Sequence, residues 1–126
     1  MQSVLVAEDE RNIAISLRFL MQQAGLEVRI AQDGPSALDM IEERIPDVML
    51  LDLMMPGYDG FEVLKRLREK PAWRKLPVLV ISARGREIDR QKAFDLGAED
   101  FVTKPYSTRD LVSRVKKFLR VENAQN

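Results

Sequence analysis

The 126-residue sequence contains no cysteine and no histidine. The first absence excludes disulfides and thiolate metal sites. The second removes the commonest general base, the commonest zinc ligand and the nitrogen nucleophile that most often carries phosphorus. An excess of one charge is missing too, because 20 Lys and Arg balance 20 Asp and Glu. A balanced chain has no global attraction to nucleic acid or to an anionic membrane, and neither is an expected partner. No apolar run approaches the ~18 residues a membrane span needs. The opening stretch MQSVLVAEDE is too short and too acidic for a signal peptide. These absences lead to the expectation of one cytoplasmic domain, large enough to bury a core without staples.

Short apolar runs alternate with longer amphipathic segments. SVLVA (Ser3–Ala7) predicts a strand, and Ile13, Leu17, Leu20, Met21 and Ala24 then recur at helical spacing until Gly25. EVRIA (Glu27–Ala31) alternates polar and apolar residues and predicts an edge strand. Ala37, Leu38, Ile41 and Ile45 mark a second helix stopped by Pro46. VMLL (Val48–Leu51) is apolar on both faces, as a strand covered by helices on both sides should be. Asp59 and Glu62 have capping-box spacing ahead of a third helix through Phe61, Leu64 and Leu67. PVLVI (Pro77–Ile81) predicts a fourth strand. Ile88, Ala93 and Leu96 suit a fourth helix ended by Gly97, and DFVT (Asp100–Thr103) is a short fifth strand. Ser107 with Asp110 can cap a last helix carrying Leu111, Val115, Phe118 and Leu119. Five βα units in strict succession predict an α/β fold: a doubly wound parallel sheet with helices on both faces and right-handed crossovers. The domain is expected over residues 1–121, with a C-terminal tail at 122–126.

In an open parallel sheet, ligands bind beyond the carboxyl ends of the strands, at the switch in strand order. Strand one ends in Glu8 and Asp9, strand three in Asp52, strand four in Ser82, and strand five in Lys104 followed by Pro105. In the order 2-1-3-4-5, strands one and three are neighbours, which brings Asp9 to Asp52. Each residue has a plainer use when taken singly. Asp9 can cap the first helix, Ser82 can cap or turn the chain, and Lys104 can be a solvated lysine. Their joint placement is harder to ascribe to chance. Crowded carboxylates at about 4 Å repel by ~4 kcal/mol per pair at an effective dielectric of 20, more than one lysine offsets. The remainder calls for a divalent cation, and an oxygen-only donor set points to Mg²⁺ or Mn²⁺. Such a cation with a lysine and a hydroxyl suits a phosphoryl group.

The motifs VLVAEDE, PDVMLLDLMMPGYDG, PVLVISA and GAEDFVTKPYS, in this order and spacing, resemble the receiver domain of two-component response regulators, a CheY-like, flavodoxin-like (βα)5 family. The likeness runs from Ser3 to about Arg120. It implies that Asp52 is the phosphoacceptor and that Glu8 and Asp9 hold Mg²⁺, Asp9 directly and Glu8 through water. The backbone carbonyl of Met54 would be a further metal ligand. Ser82 would bond the phosphoryl group, Lys104 would pair with its oxygens, and Lys104–Pro105 would be a cis bond. Phe101 falls at the aromatic switch position and would turn inward as Ser82 moves toward the phosphoryl group. Met54 and Arg84, two residues past Asp52 and Ser82, are placed to tune hydrolysis.

The resemblance also implies partners. A sensor histidine kinase would supply the phosphoryl group, since this chain has no histidine to carry it. The switch would be read on the fourth helix, fifth strand and fifth helix by an output domain or target protein. In one branch of the family this face forms a phosphorylation-linked homodimer. By that likeness Arg90 would meet Asp110, Asp100 would meet Arg114, and Asp95 would meet Lys116 across the interface. Asp110 and Arg114 are also four apart on one helix and can pair within it. The expected activity is self-catalysed phosphoryl transfer with slow autodephosphorylation, not enzymatic turnover. A phosphohydrolase would usually want an acid where Met54 stands. A flavodoxin-like nucleotide binder would want a Gly-rich or hydroxyl-rich loop where AEDER stands. An interaction module that needs no phosphorylation would not need all five site residues. Both a stand-alone receiver and the receiver part of a longer regulator fit the sequence.

Overall fold

The computed structural model describes residues 1–123, with side chains described through Leu119. The strands are β1 (Ser3–Ala7), β2 (Glu27–Ala31), β3 (Val48–Asp52), β4 (Val78–Ser82) and β5 (Asp100–Thr103). The helices are α1 (Arg11–Gln23), α2 (Gly34–Glu43), α3 (Gly60–Glu69), α4 (Glu87–Asp95) and α5 (Thr108–Asn123). The sheet is parallel throughout, in the order β2-β1-β3-β4-β5, with β2 at one edge as its alternating pattern predicts. Helix α5 runs two residues into the segment expected as a tail, and 124–126 lie outside the described residues.

Strands β1, β3 and β4 are buried along their whole length because both faces of the sheet are covered. Their alternation divides the core in two. Leu5, Met49, Leu51, Val78 and Val80 face α2, α3 and α4 through Ile41, Leu64, Leu67 and Ala93. Val4, Val6, Leu50, Leu79 and Ile81 face α1 and α5 through Leu17, Met21, Leu111 and Val115. Each buried Leu, Ile or Val contributes about 1.5–3 kcal/mol relative to exposure, so these layers fix the register of the strand ends.

Caps set where the helices begin. Asp33 Oδ1 accepts from Ser36 N at 2.7 Å, Asp59 Oδ1 accepts from Glu62 N at 2.9 Å, and Ser107 Oγ accepts from Asp110 N at 3.2 Å. The capping box at α3 is half made, because the Glu62 carboxylate pairs with Arg66 at 2.9 Å instead of turning back. Two apolar positions fall elsewhere than expected. Helix α2 stops before Ile45, because Arg44 is extended (φ −161°, ψ 123°) and Pro46 holds the approach open. Ile88 is 71% exposed, since Asp89 and Ala93 carry the inward stripe of α4. A short 3-10 turn over Pro71–Trp73 buries Trp73 ahead of β4, and its spacing was too short to leave a periodic signal.

Candidate functional site

Five side chains meet at the carboxyl end of the sheet. Glu8 and Asp9 follow β1, Asp52 ends β3, Ser82 ends β4, and Lys104 follows β5. The strand ladder continues into these turns. Glu8 N donates to Ala31 O at 2.9 Å, and Lys104 N donates to Ser82 O at 2.8 Å. Glu8, Asp52 and Ser82 are buried, while Asp9 is exposed at the rim. Asp9 does not cap α1. Glu10 holds the N-cap position, and no side chain bonds there. Asp9 is thereby left free of the plainer structural use.

The β3–α3 loop approaches closely from the other side. Gly60 N donates to Leu53 O at 2.9 Å, and a Cβ at Gly60 would lie 2.6 Å from Leu53 Cα. Gly57 has φ +84°, a left-handed turn that glycine accepts at little expense. The tight loop turns the Met54 amide toward the acid, and Met54 N donates to Asp52 Oδ1 at 2.8 Å.

Carboxylate oxygens of Glu8, Asp9 and Asp52 all lie within 4.8 Å of one another. Lys104 Nζ is 3.0 Å from Asp52 Oδ2 and 3.3 Å from Glu8 Oε1. One ammonium faces three acids, so the cluster is under-compensated by positive charge. Burial, with the Asp52 carboxylate beside it, pushes Glu8 up to about 7, against the opposing pull of the Glu10 amide and Lys104. Burial alone would lower Lys104, but the Asp52 and Glu8 carboxylates outweigh it and hold the ammonium above its ordinary range. Three oxygen donors with no nitrogen or sulfur suit a hard divalent cation. The donor set therefore fits a Mg²⁺-class ion, and nothing in it selects Mg²⁺ over similar ions.

The surrounding residues fall less uniformly. Ser82 Oγ, buried at the end of β4, accepts from Arg84 N at 3.0 Å. Met54 and Arg84 line one cleft of about 540 Å³ with Asp9, Ser82 and Asp89. The Lys104–Pro105 bond is cis. Phe101 is already buried in the core, and the Arg90 guanidinium lies 5.9 Å from its ring centre and 5.2 Å from that of Phe94. The expected inward turn thus finds the ring already inside.

On the α4–β5–α5 face, Arg114 pairs within the chain. It reaches Asp100 at 2.8 Å and Asp110 at 2.9 Å. Asp95 accepts from Gln91 at 2.9 Å, and Lys116 is exposed. Two features escaped the sequence. Asp89, buried at the start of α4, pairs with Arg86 at 2.8 Å, a contact that their i,i+3 spacing could have suggested. Arg68 donates to the carbonyls of Gly97 and Trp73 and pairs with Glu99 at 2.8 Å, tying α3 to the α4–β5 turn. No local pattern marks Arg68, since all these partners lie on other elements or turns.

Comparison with known proteins agrees with this geometry. The family model described as the response regulator receiver domain matches residues 4–116. The sensory transduction protein RegX3 of Mycolicibacterium smegmatis is 46% identical over 120 residues, covering 95% of this chain and 51% of that protein. RegX3 of Mycobacterium tuberculosis H37Rv is 44% identical, with 95% and 52% covered. The chain thus spans about half the length of these curated relatives. Among solved structures, the receiver domain of Francisella response regulator 1452 superposes with a TM-score of 0.90 at 32% identity, covering 97% of this chain and 99% of that one. The Vibrio cholerae chemotaxis protein CheY4 gives 0.88 at 28% identity, with 94% and 98% covered. The matched family model, the shared parallel fold and the acidic cluster at its switch point agree: the chain belongs to the response regulator receiver domain family of two-component systems.

Proposed function

We propose that Asp52 accepts a phosphoryl group from a sensor histidine kinase in the cytoplasm and that the resulting charge biases the α4–β5–α5 face toward an output domain or target. The observation that carries this reading is the convergence of the Glu8, Asp9 and Asp52 oxygens within 4.8 Å beside the Lys104 ammonium. Asp52 is a buried acid held on both oxygens, by Met54 N at 2.8 Å and Lys104 Nζ at 3.0 Å, both shorter than the 3.1 Å and 3.3 Å bonds that Glu8 accepts from Glu10 N and Lys104 Nζ. Those two donors fix its orientation, and positioning is the main catalytic device available without a base. Glu8, Asp9, Asp52 and the Met54 carbonyl would hold a divalent cation, Mg²⁺ or Mn²⁺. When bound, the ion offsets charge on the transferring phosphoryl oxygens.

In the transfer, an Asp52 carboxylate oxygen forms a bond to phosphorus as the bond from phosphorus to the donor imidazole nitrogen breaks. Lys104 shifts from the carboxylate to the new phosphoryl oxygens. The Ser82 hydroxyl, which accepts from the Arg84 amide, donates its proton to one of them. Asp52 goes from one negative charge to roughly two and gains strong acceptors. Phe101, covered by Arg90, then ties the Ser82 movement to α4 as a shift between two packings. Met54 and Arg84 cover the cleft and set the rate of hydrolysis. The partner surfaces extend the same reading. On α1, Ile15 and the 62% exposed Phe19 stand four residues apart beside Arg11 and Arg18, an apolar and basic face for the kinase. At the β5 edge of the sheet, Arg90, Asp95, Asp100, Asp110, Arg114 and Lys116 supply the charges of a phosphorylation-linked homodimer.

The test is chemical. After incubation with acetyl phosphate and Mg²⁺, borohydride reduction converts an acyl phosphate to the corresponding alcohol, homoserine in place of aspartate. Peptide mapping should find homoserine at position 52. Homoserine at Asp9 or Asp59 instead, or at no position, contradicts the assignment.

A further inference from the structure

The six methionines carry all the sulfur of this chain. Met21, Met49 and Met55 are buried and Met40 is partly covered. Met1 and Met54 are the exposed pair, and Met54, 50% exposed, is the one beside the acidic cluster. It lines the cleft with Asp9, Ser82 and Arg84, and its amide holds Asp52 Oδ1 at 2.8 Å. Its sequence neighbour Met55 packs into the core instead. The two adjacent thioethers therefore differ sharply in access, and access governs thioether oxidation.

We propose that Met54 is a hydroperoxide-sensitive modification site and that its oxidation shortens the life of the phosphoryl group on Asp52. In the step, hydrogen peroxide transfers one oxygen atom to the Met54 sulfur. The peroxide O–O bond breaks, an S–O bond forms, the sulfur is oxidised by two electrons, and the peroxide leaves as water. The thioether is a weak acceptor that keeps its part of the cleft apolar with Leu53, Pro56 and Phe61. The sulfoxide is a polar acceptor in the same place. Water excluded by the thioether gains a partner at the mouth of the acyl phosphate site. One net hydrogen bond to the attacking water corresponds to about a fivefold faster hydrolysis. Thiol-dependent sulfoxide reductases reverse the modification. The selectivity of oxidation stands on exposure alone, whereas the effect on lifetime rests on Asp52 being the phosphoacceptor.

Two readouts on the same chain decide it. Peptide mapping across a hydrogen peroxide time course should show Met54 oxidised well before Met21, Met49 and Met55. A Met54 rate equal to or below theirs overturns the site. Dephosphorylation is then followed after acetyl phosphate and Mg²⁺ are removed, each protein compared with itself before and after peroxide. Wild type should lose its phosphoryl group about fivefold faster after oxidation, and Met54→Leu should not change. An unchanged wild-type lifetime, or the same acceleration in Met54→Leu, overturns the effect. Failure of the wild type to gain a phosphoryl group at all overturns the phosphoacceptor reading and the lifetime effect with it, while the peptide map still decides the oxidation site.

Discussion

Glu8 is a buried carboxyl group beside a second buried carboxylate, and its acidity follows from that placement. Its proton is held up to about 7 in the folded chain against an ordinary value of 4.5. A carboxyl raised on folding stabilises the fold when protonated. That contribution is full below about pH 4.5 and is lost as pH rises through about 7. The metal-free protein should therefore have a higher Tm at pH 6 than at pH 8, and Glu8→Gln should flatten the difference. At pH 8 the substitution should raise metal-free stability by on the order of 1–2 kcal/mol in thermal unfolding, because it removes one charge from the cluster. A metal ion needs the carboxylate, so Mg²⁺ affinity measured by calorimetry should fall by up to about tenfold per pH unit below 7. A pH-independent affinity between 5.5 and 7.5 contradicts this assignment of Glu8. The acids, Ser82 and Lys104 were all legible in the sequence, because a parallel sheet places strand-end residues together. The role of the Met54 amide was not legible, since it depends on loop backbone geometry and not on side-chain type.

The β3–α3 junction shows how an element end serves the site. Asp59 caps α3, and Gly60 lets the first turn close against Leu53. Asp59→Ala should lower stability by about 1 kcal/mol, the usual effect of a lost cap, with little effect on metal affinity. Gly60→Ala should do more, because its Cβ meets backbone at 2.6 Å and not a movable side chain. Urea unfolding should show a loss of ~2 kcal/mol or more, and Mg²⁺ affinity should fall as the loop carrying Met54 shifts. Equal effects of the two substitutions would mean that the close approach does not position the loop. The existence of the strands could be read from the sequence, as apolar runs, alternation and turn signals are local; their order is non-local and came from the fold class that five βα units imply. The ends of α2 and the inward stripe of α4 could not. Arg44 and Pro46 settle the first, and Asp89, covered and paired with the exposed Arg86, turns inward with Ala93 in the second.

At the scale of the whole molecule, two surfaces flank one site. Arg114 is held by the partly buried Asp100 and the exposed Asp110 inside the chain; the exposed pair contributes only ~0–1 kcal/mol, so it can be exchanged for a partner across an interface. Sedimentation equilibrium should show a monomer that shifts toward dimer with acetyl phosphate and Mg²⁺, and Arg114→Ala should weaken the shift. A monomer in both states rules the dimer out. The resemblance paired Asp100 with Arg114 across a dimer, whereas the two meet within one chain, a contact with no local signal because Asp100 lies on another element. In the proposed function both surfaces serve one event, the arrival of a phosphoryl group at Asp52 with a divalent ion in the acidic pocket. Intact mass after acetyl phosphate treatment tests it most directly. The wild type should gain one phosphoryl group with Mg²⁺ and none with chelator, and Asp52→Asn should gain none in either. A full gain in the chelator, or in Asp52→Asn, contradicts the account, as does no gain in the wild type with Mg²⁺.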